Sequence, residues 1–224
     1  MSRKPHIVLI TSDQQRGDAL GCEGHPVVRT PHLDLLAHEG TRLSRCYSEC
    51  PICIPARTSM VTGLYAHRYG KPSFSPEFRI NRAREDFLAA RLVAAGYQTH
   101  LVGKTHWHTD PTFRGGFEGW DKWERLHREQ VARMGRDTNL TGLGRNELNP
   151  SMSYFPPELY STDWAIDRGI EAIYDRDKTA PLFLWISLVD PHPPLMIHEP
   201  YYSMYDNEPI PEPNIPQWAR GRAP

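Results

Sequence analysis

The chain has 224 residues, of which 39% are hydrophobic and 24% charged, with a formal net charge of −1. That is the profile of one ordinary globular domain, and basic residues are interspersed with acidic ones, which excludes a nucleic-acid footprint or a basic membrane-binding face. The apolar stretch near the start, Ile7 to Ile10, is too brief for a signal-peptide core or a membrane span, so the expected location is the cytoplasm and the four cysteines are not expected to form a disulfide framework.

Ile7-Val8-Leu9-Ile10 is a continuous apolar run that ends in Thr11-Ser12-Asp13-Gln14, and it reads as a buried strand with polar residues at its carboxyl end. Open α/β sheets bind ligands at that end, which makes Asp13 a candidate ligand for a hard divalent cation. The plainer alternative is a loop aspartate capping the next turn. Thr30, with Pro31 after it and leucines on one face, starts a helix expected to pack on the sheet and to stop at Gly40. Residues 41 to 47 alternate well enough to be a strand.

The segment Cys50-Pro51-Ile52-Cys53-Ile54-Pro55-Ala56-Arg57 through Thr62-Gly63 combines a nucleophile, a helix start and a helix stop. Proline suits a first helical turn and glycine the position past a helix end, so Cys53 falls at a helix N-terminus, where unpaired N–H groups and the dipole favour an anion. Cys50-x-x-Cys53 equally suits a redox pair or half a zinc site, and a free cysteine is often only a small buried hydrophobe. Residues 82 to 95 read as an amphipathic helix stopped by Gly96.

Gly96-Tyr97 to Gly103-Lys104-Thr105-His106 reads as a helix stop, a strand and a loop. Residues i and i+2 of an extended segment face the same way, so Lys104 and His106 can aim at one anion together; a solvated loop is the bland alternative. Residues 113 to 153 show little periodicity and read as an insertion or loop region, where Arg114, Trp120 and Trp123 suit a sugar or aryl group or simple surface packing. Ser161-Thr162-Asp163 opens another helix, and Pro181 to Leu188 is a central strand leading to Asp190-Pro191-His192-Pro193-Pro194. A histidine held between prolines after a strand is a rigidly aimed donor, or a plain turn. Residues 195 to 224 form a proline-punctuated tail.

Cys53-x-Pro55-Ala56-Arg57 with Thr62-Gly63, Gly96-Tyr97-x-Thr99 ending in Gly103-Lys104-x-His106, and Pro191-His192-x-Pro194 occur in the order of the signatures of the type I sulfatases, in the alkaline phosphatase superfamily, which this chain resembles over nearly its whole length. The resemblance implies an α/β fold, a mostly parallel central sheet flanked by helices in the alkaline-phosphatase-like manner, incomplete at its C-terminal side. It implies that Cys53 is the precursor of a formylglycine made by a separate formylglycine-generating enzyme, which also reads Pro55 and Arg57, and that Arg57 steadies the hydrated aldehyde. Lys104, His106 and His192 contact the sulfate ester, and Asp13, Gln14 and residue 53 bind a divalent cation, calcium first, with magnesium or manganese as alternatives. The expected substrate is a small-molecule or saccharide sulfate ester. The family carries an Asp-Asp or Asp-Gln pair at this point; here the second position is Gln14, whose carbonyl can still ligate but brings no charge. The family's remaining metal ligands have no counterpart here, so one carboxylate and one amide make a poor cage for a cation that takes roughly six to eight oxygens. Phosphonate or phosphate ester hydrolysis is the alternative chemistry, and an inactive anion-binding fragment the alternative from another class.

Overall fold

The computed structural model describes residues 4–69, 87–107, 113–135, 146–212 and 215–219. The chain divides into two compact units, one of residues 1–15 and 46–196 and one of residues 16–45 and 197–224.

The larger unit is built on four parallel strands, β1 (Ile7–Thr11), β2 (Gln98–Gly103), β3 (Gly119–Lys122) and β5 (Leu182–Ser187), in the order β1-β5-β2-β3. A short strand, β4 (Ser151–Met152), lies apart from them, with the Ser151 N–H donating to the Leu195 carbonyl. Strand β5 is buried at all six positions, as expected where a parallel sheet is covered on both faces. Its side chains alternate: Phe183 and Trp185 join Leu101, Ile54, Val61, Phe87 and Trp107 on one face, while Leu182, Leu184 and Ile186 join Val102, Leu126 and Trp164 on the other. Helices α2 (Cys53–Thr62) and α4 (Leu88–Ala94) contribute to the first core, α5 (Trp123–Met134) and α6 (Ser161–Asp175) to the second. Burying Trp185 alone removes roughly 150–250 Å² of surface, about 4–6 kcal/mol of gross transfer energy.

The register places the site. Thr11 lies opposite Ser187, and Ser187 opposite Gly103, so β1, β5 and β2 end abreast at one rim. Asp13, Lys104 and the Asp190-Pro191-His192 turn each follow within five residues of that row.

Several expectations are corrected. Strand β1 is an edge rather than a buried strand: Val8 is 48% and Ile10 56% exposed, because β5 is its only neighbour among the described residues. Residues 41–47 form no strand and are exposed, since their apolar side chains meet no pleated partner. The expected helix over 82–95 is described from Leu88 to Ala94, with Gly96 in the left-handed region (φ 84°) after it, and residues 82–86 lie outside the described residues. The segment 113–153 contains β3 and α5, whose Leu126 and Gln130 are buried. Its weak periodicity has a physical source: β3 has only four residues, and the buried stripe of α5 includes a polar glutamine, whose amide donates to the Leu159 carbonyl.

In the smaller unit, α1 (Pro31–Glu39) has no buried residue, which removes the basis for a helix packed by its leucines. Thr30 does not cap it; its hydroxyl donates to Asp34 Oδ1 and accepts the Gly21 N–H. Arg29 pairs with Glu208 at 2.6 Å and its N–H donates to the Tyr205 hydroxyl. The proline-punctuated segment carries turns and a 3₁₀ turn at Gln217–Ala219. No helix among the described residues is long and apolar enough to cross a membrane.

Candidate active site

Helix α2 starts at Cys53 and ends at Gly63, whose φ of 67° and N–H bond to the Ser59 carbonyl form a left-handed cap, as the sequence predicts. Ile54, Arg57, Thr58 and Val61 are its buried stripe, at the spacing that lines one helix face. Arg57 is thus driven inward, to 5% exposure, and it needs buried partners. Cys53 occupies the first turn, where no N-cap side chain satisfies the N–H groups, and it is a free cysteine. It lies near enough to Arg57 for a thiolate there to favour the charged guanidinium.

Arg57 finds its partners at the rim of the sheet. Its Nη2 donates to Asp13 Oδ2 at 3.1 Å, and its Nη1 donates to the Lys104 carbonyl at 2.9 Å and to Ser187 Oγ at 2.6 Å. Lys104 Nζ meets the same Asp13 Oδ2 at 2.6 Å. Burial pushes the Asp13 carboxyl up, but Lys104, Arg57 and, less strongly, His192 overrule it and hold the group below the usual carboxylate range. Asp13 is an ionised carboxylate between two cations.

Two more sequence-predicted residues complete the group. His106, with a positive φ of 57°, is pushed down to about pKa 4, first by burial, then by Lys104 and Arg57. At neutral pH it is an uncharged imidazole, with hydrogen bonding rather than charge to offer. His192 Nδ1 lies 2.7 Å from the Pro193 carbonyl. A carbonyl only accepts, so Nδ1 carries a proton, and Nε2 becomes a donor only in the imidazolium form. Gln14 is exposed with φ 58°, and His67 stacks on Tyr65 at 5.7 Å.

Ser187 was missed by sequence reasoning. It is 1% exposed, and its hydroxyl lies between Arg57 and Thr11, which in turn accepts the indole N–H of Trp185. The signal was available: a polar residue ending an apolar strand is the same pattern that pointed to Asp13. Gly103 was quoted within its motif but given no role. Its φ is 93°, and a Cβ there would stand 2.2 Å from the Ser187 carbonyl oxygen, the atom that accepts the Lys104 N–H. Only glycine lets β2 turn out beside β5 and deliver Lys104. A polar groove of about 360 Å³ at the amino end of β2, lined by His100, Asp121, Arg125 and Arg168 among others, shares no residue with this group.

The donors do not fit a divalent cation by themselves. No group of three or more His, Cys, Asp or Glu residues converges among the described residues. The one carboxylate present, Asp13, already has Lys104 and Arg57 on one oxygen.

Fold and site together define a parallel α/β domain with a neutralised carboxylate cluster and a helix-start cysteine at the carboxyl rim of its sheet, the place where such sheets take ligands. The chain belongs to the sulfatase family, whose model, described as Sulfatase, matches residues 5–220. It is 31% identical to an arylsulfatase of Clostridium perfringens, over 96% of this chain and 49% of that protein. It is 26% identical to an N-acetylglucosamine-6-O-sulfatase of Bacteroides thetaiotaomicron, over 95% of this chain and 35% of that one. Among solved structures, a phosphonate monoester hydrolase of Agrobacterium radiobacter superposes with a TM-score of 0.74 at 26% identity, covering 90% of this chain and 44% of the other. The chain therefore spans about half the length, or less, of the relatives it matches.

Proposed function

We propose that this chain is the nucleophile-bearing part of a sulfuric ester hydrolase acting on sulfated saccharides or similar small sulfate esters. The observation that carries the reading is the placement of Cys53 and Arg57 on one helical turn, with Arg57 buried against Asp13, Lys104 and Ser187. The named activities of the arylsulfatase and N-acetylglucosamine-6-O-sulfatase relatives support the substrate class.

Oxidised to formylglycine by a formylglycine-generating enzyme, residue 53 would supply a geminal diol, one hydroxyl displacing the alcohol at sulfur and the other allowing sulfate to be expelled. Arg57 orients this turn against the rim and places positive charge behind residue 53. Lys104 balances Asp13 in the resting site; an arriving sulfate competes for the same ammonium, so Lys104 is the group that can swing onto the developing charge. His106 offers a neutral ring, and His192, as imidazolium, can hand its Nε2 proton to the leaving oxygen. Toward the divalent cation expected from the resemblance, this chain offers Asp13, Gln14 and residue 53, too few donors to hold it by themselves.

The observation that favours the phosphonate hydrolase reading is the uncharged Gln14; the superposition on a phosphonate monoester hydrolase fits it only as a member of the same superfamily. Lys104 weighs against it, because a charged donor on the transferred group suits the sulfate reading. Mass spectrometry of the peptide containing Cys53, after co-expression with a formylglycine-generating enzyme, should show the aldehyde or its hydrate. The complete protein should then turn over an aryl sulfate faster than the matching aryl phosphonate; an unmodified thiol, or the reverse preference, overturns the reading.

A further inference from the structure

Asp190 takes no part in the chemistry just described, yet it touches three parts of the site's framework. Its backbone carbonyl accepts the N–H of Asp13 at 3.2 Å, a bond that fixes the peptide carrying the site's carboxylate. Its own carboxylate turns the other way, to the start of α6: Oδ2 accepts the hydroxyls of Ser161 and, at 2.6 Å, Thr162. Two residues on, the His192 N–H closes a turn onto the Val189 carbonyl, and its ring is held by the Pro193 carbonyl. The Tyr160 hydroxyl has one hydrogen, committed to the Met196 carbonyl at 2.8 Å, so its 3.3 Å approach to Asp190 Oδ1 is secondary.

Helix α6 is a firm anchor for such a tie. It packs on β5 and β2, and so closely that a Cβ on Gly169 would stand 2.4 Å from Ile186 Cδ1. No side chain of its N-cap residue, Tyr160, satisfies the first-turn N–H groups, and a carboxylate at that end of a helix is favoured by the dipole. The hydroxyls of Ser161 and Thr162, which a sequence reader assigns to capping, are spent on Asp190 instead.

We infer that Asp190 is a positioning residue: its carboxylate, held by Ser161 and Thr162 at the start of α6, fixes the backbone that orients both Asp13 and His192. The inference rests on the reading of Asp13 and His192 as active-site groups only for its relevance to catalysis; the geometry it asserts is tested without turnover. The competing role is a purely structural one, in which Asp190 stabilises α6 and orients nothing.

The test uses the full chain, ¹⁵N-labelled, with Cys53 as thiol. Long-range imidazole spectra report the tautomer of neutral His192, and amide exchange reports the Asp13 N–H. Asp190→Asn and, from the other side of the tie, Thr162→Ala should both turn the single Nδ1–H tautomer of His192 into a mixture. Both should speed exchange at Asp13 by about tenfold, the equivalent of one lost charge-assisted hydrogen bond, with the β1 amides before it unchanged. Thr162→Ser, which keeps the hydroxyl, should match the wild type. A lower melting temperature with tautomer and Asp13 exchange unchanged would leave Asp190 a helix stabiliser and sink the inference. If Asp190→Asn fails to fold, Thr162→Ala decides by the same two readouts. Failure of the sulfatase reading shows elsewhere, as an unmodified Cys53 or absent turnover, and leaves these measurements standing.

Discussion

Replacing Arg57 by leucine tests whether the rim cluster is a structural clamp. Its side chain is 6% exposed and that of Asp13 9%. The substitution leaves the Lys104 carbonyl without this donor, takes one of two donors from Ser187 Oγ, which keeps the Thr11 hydroxyl, and removes one of two cations from Asp13. A buried acceptor stripped of its partner costs about 1–3 kcal/mol, and breaking a buried ion pair typically costs about 3–5 kcal/mol. Asp13 keeps Lys104, and leucine restores some packing, so we expect a loss of about 3–5 kcal/mol. At about 2–4 °C per kcal/mol for a chain of this size, that is a fall in melting temperature of roughly 6–20 °C.

Urea unfolding of Arg57→Leu, Asp13→Asn and the double variant gives the assay. The two residues touch, so the double variant should be less destabilised than the sum of the single ones, by at least about 0.5 kcal/mol. The acid limb adds a second signature. The folded pKa of Asp13 is depressed below its ordinary 3.8, so its contribution is fully present above that value and is lost as pH falls through the lower, folded one. Arg57→Leu should shrink this limb without abolishing it, because Lys104 remains. A cost under about 1 kcal/mol, the range of exposed pairs, or strict additivity in the cycle, would refute the clamp.

His106 gives the opposite histidine signature to the usual one. With its folded pKa near 4 against an ordinary 6.5, the unfolded chain binds the extra proton between those values, so stability should fall as pH drops from 6.5 to about 4. His106→Asn, a residue at ease at positive φ, should flatten that slope; an unchanged slope in urea titrations would assign it to another group. Calorimetric titration of this chain with calcium or magnesium should show binding weaker than about 0.1 mM, the range of sites short of ligands, and tight binding abolished by Asp13→Ala would overturn the account of the donor set. In the complete, formylglycine-bearing protein, Lys104→Ala should lower aryl sulfate turnover by about a hundredfold or more, and tolerance of the change would remove Lys104 from the transferred group.

What was legible beforehand follows physical range. Helix α2 could be read from Cys53 to Gly63 because its determinants are local: a proline in the first turn, a stripe at 54, 57, 58 and 61, and a glycine that adopts φ 67°. Strand β5 announced itself by an apolar run. Strand β1 has the same composition but different surroundings, and exposure is decided by neighbours that composition does not name. Strand β3 is set by its pairing with His100 to Gly103 on β2, a long-range fact. The caps failed in one consistent way. Thr30, Ser161 and Thr162 were read as serving their own helices, and each hydroxyl serves a carboxylate instead, Asp34 or Asp190.

The site residues were found one by one, through motif order, and their mutual arrangement was not. Lys104 was expected to bring a charge, and His106 a protonatable donor, to one anion. In the folded chain Lys104 is engaged with Asp13, and burial strips His106 of its proton at neutral pH. The causes differ: Asp13, at 8% exposure, is an ionised group that desolvation penalises and that recruits the cations nearest to it along the rim, whereas His106 is kept neutral first by its own burial and then by Lys104 and Arg57, with Asp13 pulling the other way. Two cations against one carboxylate leave the group with one net positive charge beside residue 53. On the proposed reading a sulfate ester competes with Asp13 for Lys104, so affinity for the free anion and stabilisation of the reacting one are separate quantities, and only the second is expected to be large.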